Sequence, residues 1–100
     1  MKEKVINYLV NVQKMTSKNA ERIYSQLAAH PDILSEFESG IAENSFSMPN
    51  GEAICVEGWT AERLMETGKL SPVGAYNYLV YLREEPREAI DMLEVGLPNK

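Results

Sequence analysis

Apolar residues recur at spacings of three and four along most of this chain, the mark of helices that each bury one face. Residues 2–13 carry Val5, Ile6, Leu9, Val10 and Val12, a broad apolar side for a first helix. Thr16 or Ser17 can cap a second helix, with Ala20, Ile23, Tyr24 and Leu27 facing inward. Pro31 opens a third, since proline is tolerated at the first helical position and Asp32 and Glu36 suit the positive end of a helix dipole. Ile33, Leu34 and Phe37 give it a buried stripe, and Gly40 is expected to end it, with Ile41 making the apolar contact that follows such a terminus. Further on, Thr60 caps a helix that reaches Thr67 and Gly68. Ser71 with Pro72 then starts another, burying Ala75, Tyr78, Leu79 and Leu82.

The same order of signals occurs twice. Moving Leu9, Met15, Thr16, Ala20, Tyr24 and Pro31 forward by 55 positions places them on Leu64, Leu70, Ser71, Ala75, Leu79 and Pro86. With one further residue allowed after Pro86, Phe37, Gly40 and Ile41 fall on Leu93, Gly96 and Leu97. Caps, prolines and terminal glycines are not periodic, so their shared order says more than matching amphipathic faces do. The reading is a mainly α protein made of two tandem, degenerate three-helix units, residues 1–41 and 59–100. About 40 residues cannot bury a sufficient core alone, so the units are expected to pack together as one compact domain.

Residues 42–58 join the units with different chemistry. Asn50-Gly51 is a hairpin signal, flanked by Phe46 and Met48 on one side and the β-favouring residues 53–56 on the other. A small hairpin is expected there, with Pro49 at an edge or turn; an ordered loop is the alternative. Trp59 is expected to plug this connector into the core, or else to dock a partner.

The helix over residues 71–84 stands apart. Besides its core-facing residues it places Val73, Tyr76 and Val80 on the opposite side, at spacings of three and four. A helix that is apolar nearly all round is buried on both sides. Either the protein's own elements cover Val73, Tyr76 and Val80, or these residues face a partner chain, a second copy or another protein.

Composition narrows the classes. One hundred residues, 44% hydrophobic and 25% charged, suit a single folded domain. No apolar run reaches the length of a membrane span and no leader pattern opens the chain, so a cytoplasmic protein is expected. The net charge of −5 opposes a general attraction to nucleic acid. The single His30 and single Cys55 offer no metal-ligand spacing, and no cofactor is expected. His30 reads as a helix-end residue and Cys55 as a small buried hydrophobe. Glu84, Glu85, Glu88, Asp91 and Glu94 read as a solvated face. No nucleophile is paired with a base, so the chain is expected not to be an enzyme.

The spacing of Leu64, Leu70, Ser71, Ala75 and Leu79 resembles the helix-turn-helix of bacterial regulators. That resemblance implies a second reading, a dimeric DNA-binding transcriptional regulator, with Lys69, Asn77 and Arg83 as the candidate DNA contacts. Residues 57–86 also resemble small bacterial proteins without an assigned role, which implies a mainly helical fold and no particular chemistry. The leading expectation is a non-enzymatic interaction or regulatory module.

Overall fold

A computed structural model describes residues 2–44, 46 and 54–95. It is mainly helical, with a small antiparallel β element between two groups of helices. The elements are α1 (Lys2–Asn7), which continues as a π-helical stretch over Tyr8–Val12, then α2 (Ser17–Ala28), α3 (Pro31–Glu43), β1 (Cys55–Val56), β2 (Trp59–Thr60), α4 (Ala61–Thr67), α5 (Pro72–Glu84) and α6 (Pro86–Val95).

Short-range chemistry sets the starts of these helices. The side chains of Thr16, Thr60 and Ser71 each accept a hydrogen bond of 3.2 Å from the backbone N–H three residues on, meeting a donor that the first turn leaves unpaired. Pro31, Pro72 and Pro86 stand first in α3, α5 and α6. Backbone conformations recur at positions 55 apart. Lys14 and Lys69 both take a left-handed conformation, at φ 63° and 58°. Thr16 and Ser71 share an extended one, at φ −71° and −70°. His30 and Glu85, each just before a helix-opening proline, have φ −130° and −133°.

Two local expectations are corrected. Gly40 does not end α3: it is buried inside the helix, and Asn44 at φ 54°, ψ 39° takes the left-handed terminal position, which asparagine tolerates better than most residues. A short hairpin spans residues 55–60. Cys55 pairs with Thr60 and Val56 with Trp59, so the turn is Glu57-Gly58, both at positive φ (52° and 84°), as a two-residue turn of type I′ requires. Asn50-Gly51 lies outside the described residues. The alternation in β1 turns Val56 inward and leaves Cys55 exposed, contrary to its expected burial. Trp59 is half-buried against the core, and the Arg63 guanidinium lies 3.8 Å from its ring centroid while donating to the Gly58 carbonyl at 2.9 Å. Arg63 thereby ties the hairpin to α4.

One core joins both groups of helices. Its fully buried residues include Leu9, Leu27, Ile33, Phe37, Leu64, Leu79 and Leu82. At its centre, α5 touches α2, α3, α4, α6 and β1. Phe37 holds the rings of Tyr8, Phe46 and Tyr76 around it, with centroids 5.9, 5.8 and 5.4 Å away. Phe46 therefore lies in the aromatic core.

Candidate functional site

The three residues expected as a partner-facing surface lie inside the chain. Val73, Tyr76 and Val80 are 4%, 2% and 4% exposed. Tyr76 packs on Phe37 of α3, and burial, reinforced by the Glu36 carboxylate, pushes its hydroxyl up to about 12. The second apolar side of α5 exists as the pattern predicts, but it is covered by the protein's own elements and offers no surface to a partner.

The three candidate DNA contacts do not form one surface. Lys69 is exposed in the turn before α5, and Arg83 lies near the far end of a helix of 13 residues, roughly 20 Å long. Asn77 is half-buried, with its Oδ1 buried and without a hydrogen-bond partner among the described residues. Six residues at about 100° each set Asn77 and Arg83 roughly 120° apart around the helix. Arg83 is also engaged: its Nη1 donates to both Asp32 oxygens at 2.9 Å, joining α5 to the first turn of α3. Beside it, Nε2 of His30 lies 3.1 Å from Glu84 Oε2, so the lone histidine ties a helix corner to α5.

The Arg83 guanidinium bonded to Asp32 holds that carboxyl below the usual carboxylate range, against a weaker opposing effect of burial. A carboxylate whose folded-state pKa is depressed stabilises the fold above its unfolded pKa and loses that contribution as pH falls through the folded value. Both side chains are partly exposed (33% and 48%), so the pair contributes less than about 1 kcal/mol. Asp32→Asn should lower stability by that modest amount at neutral pH and low salt. Denaturant melts should show the difference from the parent vanishing below the carboxylate range.

Among the described residues the exposed large apolar side chains are Val12, at 58%, and Met92 and Val95, both on α6. This helix rests on α5 through Ala89, which is fully buried, with Ile90 and Leu93 half-buried. Met92 and Val95, 36% and 83% exposed, are left outside. Glu88, Asp91, Met92 and Val95 stand at i, i+3, i+4 and i+7, and so share one face. Tyr81 of α5 flanks that face, its hydroxyl donating to Glu88 Oε1 at 3.0 Å with the Met92 sulfur at 3.6 Å. The hydrogen bond to Glu88, with burial and the nearby Glu88 and Glu85 charges, raises the Tyr81 pKa. On its other side Tyr81 joins Gln26, Asn77, Val80 and Glu84 around a shallow cavity of about 180 Å³. Sequence reasoning missed this edge. The signal was present in α6, where apolar residues at 89, 90, 92, 93 and 95 form a stripe wider than contact with one neighbouring helix needs.

Comparison with protein-family models, curated proteins and solved structures finds no match for the chain. Among the described residues, no group of three or more His, Cys, Asp or Glu is placed to hold a metal ion, and no helix is long and apolar enough to cross a membrane.

Proposed function

We propose that this chain is a non-enzymatic interaction module, built from two tandem helical units, that meets its partner through the open edge of α6. The observation that carries the reading is the contrast between α5 and α6. The apolar side of α5 is enclosed by its own chain, whereas Met92 and Val95 stay at the surface beside a tyrosine whose hydroxyl is already engaged. Tyrosine and methionine are enriched at the centres of protein interfaces, where an apolar body with a polar or polarisable tip adapts to a partner. The tandem-unit reading draws its support from the capping residues and the left-handed lysines that recur 55 positions apart. Groove reading by α5 has less support, because its sides are buried and Arg83 is held by Asp32.

A photo-crosslinking residue at Val95, introduced into the chain in the cells that make it, should yield a discrete protein adduct. The same residue at Lys18, on the exposed side of α2, should not. Equal labelling from both positions, or none from Val95, overturns the assignment of the edge.

A further inference from the structure

We infer that the strip formed by Tyr81, Met92 and Val95, edged by Glu84, Glu88 and Asp91, is the docking surface for a basic amphipathic helix of another protein. The inference rests on the reading that this edge is where the chain meets a partner, and it names that partner's chemistry. The exposed face of α6 runs straight for two turns, roughly 10 Å, and presents no strand edge for an extended peptide to pair with. A helix laid alongside it could seat apolar residues spaced three and four apart against Met92 and Val95.

Charge selects the occupant. Glu88 and Asp91 lie on the same face as the two apolar residues, and Glu84 sits across Tyr81 on the rim of the shallow cavity. Arg87, the one basic residue within α6, lies about 140° around the helix from Met92. A second copy docking by two-fold symmetry would bring this acidic patch against another of the same sign, with no basic side chain on the face to answer it. Lysine or arginine flanking an apolar stripe answers each carboxylate and keeps the contact between Met92, Val95 and the partner dry.

The test titrates the intact chain against three fluorescent peptides, read by anisotropy. The first is an amphipathic helix of leucine and lysine, the second replaces its lysines with glutamate, and the third scrambles the first. The first peptide should bind, and the other two should bind at least about 10-fold more weakly. Met92→Ser with Val95→Ser should weaken the first peptide about 10-fold or more, because the apolar contact is lost. Glu88→Lys with Asp91→Lys should reverse the preference between the lysine and glutamate peptides. Circular dichroism should show every variant folded, because all four positions are exposed. Equal binding of the scrambled peptide, preference of the parent for glutamate, or self-association through the strip in sedimentation overturns the inference. If crosslinking at Val95 captures a partner while the lysine peptide fails to bind, the edge stands and the partner's chemistry falls; if Val95 captures nothing, both fall.

Discussion

Val80→Asp is expected to leave the chain unfolded at neutral pH. Val80 is 4% exposed on the side of α5 that the chain itself covers. A carboxylate placed there loses its water without gaining a cationic partner, and Glu84 on the same shallow cavity adds repulsion. An unpaired buried charge costs several kcal/mol, against a total stability of about 5–15 kcal/mol for a domain of this size. Circular dichroism should show most helix lost, and sedimentation should show an expanded monomer. Acidification should restore part of the signal, since the protonated carboxyl no longer has to bury a charge. A folded, compact variant with the parent's melting midpoint would show that the covered side of α5 has been given the wrong partners.

Phe37→Ala is expected to cost about 3–5 kcal/mol, the range for truncating a buried aromatic. Phe37 is fully buried and meets Tyr8 edge-on at 79°, with the Phe46 and Tyr76 rings tilted at 36° and 50°. Its loss removes three ring contacts and opens a cavity among side chains from α3, α5 and the π-helical stretch after α1, and rigid helices close such a gap only in part. The denaturant midpoint should fall with little change in slope. A loss under about 1 kcal/mol would mean that α3 does not sit on α5 as described.

What could be read from the sequence divides by the range of the interactions involved. Thr60 and Ser71 could be named as caps, with Thr16 one of two choices, and Pro31 and Pro72 as helix openers, because each acts within one turn of itself. The inward faces of α2 and α5 followed from spacing alone. The hairpin over residues 55–60 did not: its turn places Glu57 at a positive φ that glutamate rarely takes, held by pairing and by Arg63 on Trp59. Gly40 had the look of a terminus because glycine tolerates a left-handed backbone, yet Asn44 supplied that conformation one turn later. For Val73, Tyr76 and Val80, periodicity established that something covers them but not whether the cover is internal or foreign. The edge of α6 escaped for the complementary reason: a stripe reveals that a helix is amphipathic, whereas its uncovered part depends on how far the neighbouring helix reaches.

The central position of α5 bears on how this protein can change over generations. On α2, buried Ala20, Ile23 and Leu27 alternate with exposed positions, so substitutions can accumulate along one side at little cost. Six of the thirteen residues of α5 are buried, and they point in several directions around the axis. Drift has no quiet side to act on there. A volume change at one of these positions asks for an answering change in α2, α3, α4, α6 or the hairpin, depending on the direction in which it points. Relatives that have diverged widely should therefore differ most along α1 and the outer side of α2, while α5 changes slowly and in step with its neighbours.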